Sequence, residues 1–468
     1  MANYDFDVAV LGGGPGGYVA AIRAAQLDLK VAVVERDNLG GICLNWGCIP
    51  TKSLIRNAEV LNILHEAADY GFSFDNLKVD YAIAHKRSRE ISAKLVKGVE
   101  FLMKKNNVTV IKGSGAMTDA HTLQVGQRNV TAANIILATG TSPSSLPMLK
   151  VDGQRVFTYR QLLEVTTAPK SMIVIGSGAI GMEFAYVFNA YGAEVIVLEA
   201  LPQILPREDA DVAQVVVRSF NKQGIKTQAG VKITDAQVLP DGVSVMLTDK
   251  DGHAQTLKAD WVLVAAGVTP NTKLIGLDAA GVTATERGYV TVDARMATNI
   301  PGVYAIGDIN GVLALAHVAQ AQGVVAAEVI AAGMGKYTGH IRTIDPDALP
   351  RCTYTHPQVA SLGLTEAQCK EKGLTVKIGK VPFSPNGKAL ANKSTEGFAK
   401  IIADAKYGEI LGVHLVGPDV TELLPEFVLA KNAELTPDEI AHAVHAHPTL
   451  SEVLMEAAQG VFGTPIHI

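Results

Sequence analysis

The chain has 468 residues, 48% of them hydrophobic and 19% charged, with a formal net charge of −5. That length suggests about three domains, and the weak negative charge without a basic block argues against nucleic acid as a partner. No apolar run approaches the roughly 18 residues that cross a bilayer, so no membrane is expected, and four cysteines are too few for a disulfide framework. The opening residues, Met-Ala-Asn-Tyr-Asp-Phe-Asp, lack the basic and apolar regions of a secretory signal. The expected location is the cytoplasm, or the mitochondrial matrix if a presequence has been removed.

Asp7–Leu11 is a short apolar run that reads as a buried parallel strand. Gly12-Gly13-Gly14-Pro15-Gly16-Gly17 follows and fits G-x-G-x-x-G, with an Ala-rich helix over Tyr18–Leu27. A second strand, Lys30–Val34, ends at Glu35, 18 residues after Gly17. Each part has a task in binding a dinucleotide. Gly12 makes the tight turn, Gly14 lets backbone approach a pyrophosphate, and Gly17 lets helix pack on strand. The helix N-terminus offers N–H groups to phosphate, and Glu35 can accept from ribose hydroxyls.

Gly40-Gly41-Ile42-Cys43-Leu44-Asn45-Trp46-Gly47-Cys48-Ile49-Pro50-Thr51-Lys52 comes next, with two of the four cysteines five positions apart. The residues leave three readings open: a zinc site, two buried bystanders, or a redox-active disulfide. Zinc wants a second Cys or His pair at short spacing, and Cys352 and Cys369 are distant and badly spaced. A disulfide has a geometric requirement of its own. Residues i and i+5 of an ideal helix are about 7.5 Å apart along the axis, whereas a disulfide tolerates about 4.4–6.8 Å between Cα atoms. The segment must therefore depart from a helix, and Gly47 permits that.

This stretch resembles the disulfide signature of the pyridine nucleotide–disulfide oxidoreductases, C-x₄-C followed by I-P-[ST]-K. The departure is Trp46, where that family usually has Val or a small residue. Within the family the chain looks most like the branch that oxidises dihydrolipoyl groups. The resemblance implies FAD and NAD as cofactors. It makes Cys43 the thiol that meets substrate, Cys48 the thiol that faces the flavin, and Lys52 the lysine near flavin N5. It also implies an α/β fold of glutathione-reductase-like layout, with two Rossmann-like dinucleotide-binding domains and a C-terminal α+β dimerisation domain.

Further along, Val60–Asn107 is patterned as long helix, and Lys86–Arg89 reads as a solvated basic face. Val108–Lys112 reads as a strand with Gly113-Ser114-Gly115 turning after it, and the resemblance puts Gly115 near the flavin adenine. Thr131–Leu137 is a strand ending in Ala138-Thr139-Gly140, the A-T-G motif at which such chains leave the flavin domain. Ser142–Pro147 reads as a linker.

The opening pattern then repeats. Strand Ser171–Ile175 leads into Gly176-Ser177-Gly178-Ala179-Ile180-Gly181, a helix, strand Glu194–Leu198 and Glu199, again 18 residues after the last glycine. Two copies imply two nucleotide sites. Glu199 accepts from a ribose 2′-hydroxyl and repels a 2′-phosphate, so the second site is expected to take NAD. The resemblance implies that Glu183 lies next to the nicotinamide, within reach of Lys52; read alone it is an exposed first-turn carboxylate. Ala266–Asn271, with Gly267, closes this domain, and Val268 stands where the family more often has Arg. Thr298–Asp308 matches the second flavin motif, in which Asp308 would accept from a ribityl hydroxyl, and the backbone at Ala316–His317 would meet the isoalloxazine.

From Ile341 the nucleotide patterns stop. Cys352–Pro357, Val376–Pro382, Ala399–Asp404 and Ile410–Val416 are strand-like, and Thr421–Lys431 is helical. His447-Pro448-Thr449-Leu450-Ser451-Glu452 resembles the family's H-P-T-x-x-E signature. It makes His447 the acid–base, oriented by Glu452, and places it against the disulfide of the other subunit of a homodimer. His442 and His445 nearby raise a metal reading that no cysteine or second cluster supports, so no metal is expected. The implied domains are 1–143 and 271–340 for FAD, 144–270 for NAD and 341–468 for the subunit interface. The implied reaction oxidises protein-bound dihydrolipoyl groups and reduces NAD⁺, so the partners are lipoyl domains of 2-oxo acid dehydrogenase complexes or of the glycine cleavage system. The alternatives are the family's glutathione- or mercury-reducing branches, or a scaffold subunit that keeps the fold without the chemistry.

Overall fold

The computed structural model describes residues 4–468. The chain forms two compact units. The first takes the chain up to Ser53, then Ile83–Ser144 and Gly267–Ile344; the second takes Leu54–Ala82, Ser145–Ala266 and Asp345–Ile468.

The first unit is built on a parallel sheet in the order Thr109–Lys112, Val31–Glu35, Phe6–Leu11, Arg128–Leu137 and Val303–Ala305. Strand Phe6–Leu11 is buried almost end to end, as a strand covered on both faces must be. Gly115–Asp119 and Thr122–Val125 extend the sheet as antiparallel strands along the first half of Arg128–Leu137. Helix Pro15–Gln26 packs against helix Ala316–Gly333 at a crossing of small residues. A Cβ on Gly323 would lie 2.6 Å from the Gly16 carbonyl oxygen, and one on Gly16 would lie 2.9 Å from that of Ala319.

The second unit repeats the plan. Its parallel sheet runs Lys226–Ala229, Glu194–Glu199, Ser171–Ile175, Trp261–Val264 and Val156–Phe157. An antiparallel three-stranded excursion, Lys232–Leu239, Gly242–Thr248 and Ala254–Ala259, stands before Trp261–Val264. In the first unit the antiparallel strands likewise come just before the fourth parallel strand.

The remainder of this unit is a five-stranded antiparallel sheet, Arg351–Thr353, Gln358–Gly363, Ile410–Gly417, Phe398–Asp404 and Val376–Pro382. One face packs on helices Pro425–Asn432, Pro437–His442 and Glu452–Val461 through Ala360, Leu362, Ile401, Val413, Leu415 and Phe427. Each large side chain buried there contributes about 1.5–3 kcal/mol. Gly379 lets helix Glu452–Val461 lie directly on the sheet, since a Cβ would be 1.9 Å from Ala457 O. Register puts Arg351, Ser361, His414, Lys400 and Lys380 side by side across all five strands. Facing this polar row, Asp209 and Asp211 open helix Ala210–Lys222, and the buried Lys400 ammonium donates to Asp209 (2.9 Å), Asp211 (3.0 Å) and Glu366 (2.7 Å).

Four local expectations change. The helical stretch 60–107 is two helices, Cys48–His65 and Tyr81–Lys105, parted by a 3₁₀ turn and an extended loop. The linker 142–147 begins as strand Thr141–Pro143, paired with Val268–Pro270. The run 352–357 holds only the short strand Arg351–Thr353; the chain bends, and the next strand is Gln358–Gly363. In Lys86–Arg89 two arginines point to the thiol segment instead of to solvent alone: Arg89 donates to Asn45 O (2.6 Å) and Arg87 to Ser53 Oγ (2.9 Å).

Candidate active site

The two glycine loops have matching geometry. Gly12 and Gly176 adopt φ of +109° and +103°, where a side chain would also strike backbone: a Cβ would lie 2.3 Å from Ala138 O in one and 2.4 Å from Ala265 O in the other. At Gly17 and Gly181 a Cβ would lie 1.9 and 2.0 Å from the carbonyl oxygens of Gly12 and Gly176. Gly14 and Gly178 are the N-caps of helices Pro15–Gln26 and Ala179–Ala190, and neither caps with a side chain. Both helix starts therefore present N–H groups to an anion. No atom lies within 4 Å of a Cβ built on Gly178. These are cradles that fit two dinucleotides.

The terminal acids are tied back to the loops. Glu35 Oε2 accepts from Gly13 N (2.6 Å) and Oε1 from Asp37 N (2.7 Å). Glu199 Oε2 accepts from both Ser177 N (2.9 Å) and Ser177 Oγ (2.7 Å), and Oε1 from Leu201 N (2.9 Å). Glu183 is buried at 3% exposure and its Oε1 accepts from Tyr354 N (3.1 Å), so it is not an exposed first-turn carboxylate.

The thiol segment docks on the first loop. Gly40 N donates to Gly13 O (2.8 Å), and Gly41, at φ +54°, packs so closely that a Cβ would be 2.7 Å from Gly14 Cα. Helix Gly41–Trp46 then stops at Gly47, whose φ and ψ are −147° and −112°, and a new helix starts at Cys48. The break falls where the disulfide geometry required it. A side chain at Gly47 would crowd Ile42 O at 3.1 Å. Asn45 Nδ2 donates to Leu39 O (3.1 Å) and Gly41 O (2.9 Å), and Thr51 Oγ1 to Gly47 O (2.7 Å), which fixes both sides of the break.

Cys43 and Cys48 stand here as thiols, half-buried and joined by a hydrogen bond. That bond, burial and the neighbouring Cys48 charge drive the Cys43 pKa far above the ordinary thiol value, while Lys52 pulls weakly the other way. Tyr18 lies within electrostatic reach of Cys43; burial raises its pKa, against a hydrogen bond from Gln320 Nε2 (3.1 Å).

The remaining flavin-side candidates gather in the same unit. Thr139 Oγ1 donates to Asn271 O (2.9 Å), Asn271 Nδ2 donates to Thr139 O (2.9 Å), and Ser142 Oγ donates to Asn271 Oδ1 (2.7 Å). Gly140 turns at φ +66° and its carbonyl accepts from Asn271 N (3.0 Å). Burial raises the pKa of Asp308, against Thr141 Oγ1, which donates to Asp308 Oδ2 (2.8 Å). Gly115 opens its strand against Leu11 and Val34. Ala316 and His317 open helix Ala316–Gly333. Gly267, at φ +110°, leads into the ribbon Val268–Pro270.

In the second unit His447 and Glu452 meet as expected. His447 Nδ1 lies 2.9 Å from Glu452 Oε1, and Thr449 N donates to Oε2 (2.9 Å). Burial alone would raise the Glu452 pKa; the Thr449 N–H and His447 outweigh it and hold the carboxyl below its ordinary range. An ionised Glu452 selects the Nδ1–H tautomer, which leaves Nε2 as the basic nitrogen on a ring that is 77% exposed. His445 is occupied otherwise, with its ring nitrogens 2.9 Å from Ala443 O and 3.1 Å from Glu426 Oε1. Asp249, Asp251 and His253 form a group of metal-ligand type in an exposed turn, where Asp249 Oδ1 accepts from the backbone N–H of Asp251 and His253 at 2.9 Å each. No helix among the described residues is long and apolar enough to cross a membrane.

Sequence reasoning missed Ser177, Asn271, Arg89 and Tyr18. Only Ser177 carried a local signal, a hydroxyl residue inside a glycine loop that ends on an acid.

Comparison with known proteins agrees with this geometry. The profile described as pyridine nucleotide-disulphide oxidoreductase matches residues 6–323, and that of its dimerisation domain matches residues 349–458. Dihydrolipoyl dehydrogenase of Mycobacterium tuberculosis is 48% identical over 468 residues, 99% of each chain, and that of Corynebacterium glutamicum 46% over 471 residues, again 99% of each. The crystal structure of LpdA from Mycobacterium tuberculosis superposes with a TM-score of 0.88 at 29% identity, over 97% of this chain and 98% of that one. With both profiles matched over most of its length and a full-length relative at 48% identity, this chain belongs to the pyridine nucleotide-disulphide oxidoreductases.

Proposed function

We propose that the protein oxidises dihydrolipoyl groups to lipoyl groups and reduces NAD⁺, through the Cys43–Cys48 couple and FAD. The observation that carries this reading is the thiol pair at the helix break, docked through Gly40 and Gly41 on a dinucleotide loop. FAD would lie along Gly12, Gly14, Gly17 and Glu35, with Lys52, Gly115, Thr139, Gly140, Asp308, Ala316 and His317 around it, in the segments 1–143 and 271–340. NAD would lie along Gly176, Gly178, Gly181 and Glu199, with Glu183 at its reactive end, in the segment 144–270 that Gly267 closes. Bound FAD supplies the two-electron chemistry that lets a thiol couple meet a nicotinamide.

The chain's own residues handle the sulfur and proton steps. His447 Nε2 takes a proton from one dihydrolipoyl thiol. The resulting thiolate attacks the Cys43 sulfur of the oxidised pair, forming a mixed disulfide and releasing Cys48 as thiolate. The second substrate thiol loses its proton and attacks the mixed disulfide; the lipoyl ring closes, and the Cys43 sulfur leaves and takes a proton. Two electrons now reside on the cysteines, and one of the two substrate protons remains on His447. The position of the pair supports this division, because the segment that carries both thiols docks on the first dinucleotide loop through Gly40 and Gly41.

His447 serves the thiols of the other subunit in this reading, so a homodimer is the working unit, and the matched dimerisation domain supports that. The substrates are lipoyl domains of 2-oxo acid dehydrogenase complexes or of the glycine cleavage system, and the proposed location is the cytoplasm. The test is the spectrum of the flavin-loaded protein after reduction by dihydrolipoamide. Wild type should show long-wavelength absorbance from a thiolate beside the flavin, and Cys48→Ser should lack it. Persistence of that band in Cys48→Ser would refute the role of Cys48.

A further inference from the structure

We propose that Ser177 is the positioning residue that makes the second dinucleotide site selective for a free ribose hydroxyl, by fixing Glu199 and the loop after it with a single side chain. The inference rests on the reading of that site as the NAD site. Ser177 is fully buried and Glu199 is 8% exposed. The Ser177 hydroxyl donates to Glu199 Oε2 (2.7 Å) and accepts from Leu205 N (3.1 Å), while the Ser177 amide donates to the same Oε2 (2.9 Å). One residue thus makes three hydrogen bonds that lock an acid to a loop.

The acceptor count shows the consequence. An ionised carboxylate has about four lone-pair sites. Glu35 in the first fold gives one to Gly13 N and one to Asp37 N. It keeps capacity on both oxygens for two ribose hydroxyls. Glu199 gives both sites of Oε2 to Ser177 and one site of Oε1 to Leu201 N. The remaining capacity is a single site on Oε1. Glu199 is thereby a reader of one hydroxyl, held in one orientation, with its charge set against a phosphate at the same place.

The loop gives an independent sign of the same constraint. Leu205 adopts φ +51°, a left-handed conformation that a leucine keeps only where its surroundings impose it. Its N–H is held by Ser177 Oγ and its carbonyl by Gln203 Nε2 (3.3 Å), which also reaches Glu208 O (2.9 Å). Without the hydroxyl, Leu205 N loses its acceptor and Glu199 Oε2 loses its shorter donor. The acid is then able to swing, and space next to the ribose is no longer kept against a 2′-phosphate.

The test uses the flavin-loaded protein with dihydrolipoamide as reductant and NAD⁺ or NADP⁺ as acceptor. Ser177→Ala removes the hydroxyl and keeps the amide. Ser177→Gly copies the first loop, where Gly13 holds the equivalent place, and serves if the alanine variant folds poorly. Either should raise KM for NAD⁺ about tenfold, as loss of one hydrogen bond to a charged group predicts, with a much smaller change in kcat. The ratio of kcat/KM for NAD⁺ over NADP⁺ should fall. In a Glu199→Gln background, Ser177→Ala should add little, because both changes act on one carboxylate. Unchanged KM and selectivity in both Ser177 variants, with KM raised in Glu199→Gln, would overturn the inference and leave the NAD site standing. A wild-type protein that prefers NADP⁺, or an unaffected Glu199→Gln, would overturn the reading of the site itself.

Discussion

The two dinucleotide folds share strand order, glycine contacts and the distance from last glycine to acid, and they differ in what each is attached to. The first loop is joined to the thiol segment by the hydrogen bond from Gly40 N to Gly13 O and by the close packing of Gly41 on Gly14. The second is bonded through Ser177 to the loop Leu201–Asp209, whose far end is held by Lys400. Duplicated architecture has been given separate work by contacts outside the repeated core. In the proposed function, one copy holds a resident cofactor beside the reacting thiols, and the other offers a preset site to a nucleotide that comes and goes.

The sharpest way to separate the copies is to damage the same glycine in each. A Cβ at Gly17 or Gly181 would lie within 2.0 Å of a backbone oxygen, too close for any side-chain movement to relieve. Gly17→Ala should yield protein without FAD and without activity. Gly181→Ala should remain yellow, with KM for NAD⁺ raised about a hundredfold or more, as loss of several hydrogen-bonded phosphate contacts implies. Flavin content and steady-state kinetics measure both; loss of FAD in Gly181→Ala would show that the copies do not work separately.

The loop before helix Glu452–Val461 carries the proposed acid–base, and changes there should strike turnover without touching the flavin. His447→Gln should cut turnover with dihydrolipoamide about 10²–10⁴-fold, the range of general acid–base catalysis, and leave flavin content unchanged. Glu452→Gln should cost about tenfold, since it removes the group that selects the tautomer and leaves the base in place. Equal losses from both would mean that Glu452 does more than orient.

The smallest effect on turnover belongs to the charged row behind the second fold. Lys400→Met leaves Asp209 buried without its ammonium and should destabilise the protein by about 3 kcal/mol, read from denaturant unfolding. Acid should act on the same cluster. Burial lowers the pKa of His414, against the pull of Asp209, so the unfolded chain gains a proton first as pH falls below about 6.5, and stability declines from there. For Asp209, burial would raise the pKa, but His414 and Lys400 outweigh it and the net shift is downward. Its contribution is present above about pH 3.9 and is lost as pH falls through the lower folded value. A stability profile flat from pH 7 to below both values would contradict this account of the cluster.

Much of this was legible because backbone geometry forces composition. Gly12, Gly17, Gly176 and Gly181 are glycines for steric reasons that any Cβ would violate, so their spacing survives as a readable pattern. Gly47 was legible for the same reason, since a disulfide across five positions cannot span an unbroken helix. The bonds made between distant segments were not legible. Asn271 reaches Thr139 and Ser142 from some 130 residues away in sequence, and Arg89 reaches Asn45 across 44. Nothing in the local pattern of those residues marks them. The polar row was half-visible: Lys400 interrupts the apolar strand Phe398–Asp404, but its acidic partners arrive from another part of the fold.

The measurement closest to the central claim is the steady-state rate with dihydrolipoamide and each nicotinamide. Efficient reduction of NAD⁺, strongly preferred over NADP⁺ and lost in Cys43→Ser, is the predicted result. Preference for NADPH with glutathione disulfide as substrate, or dihydrolipoamide oxidation that survives loss of Cys43, would contradict the account.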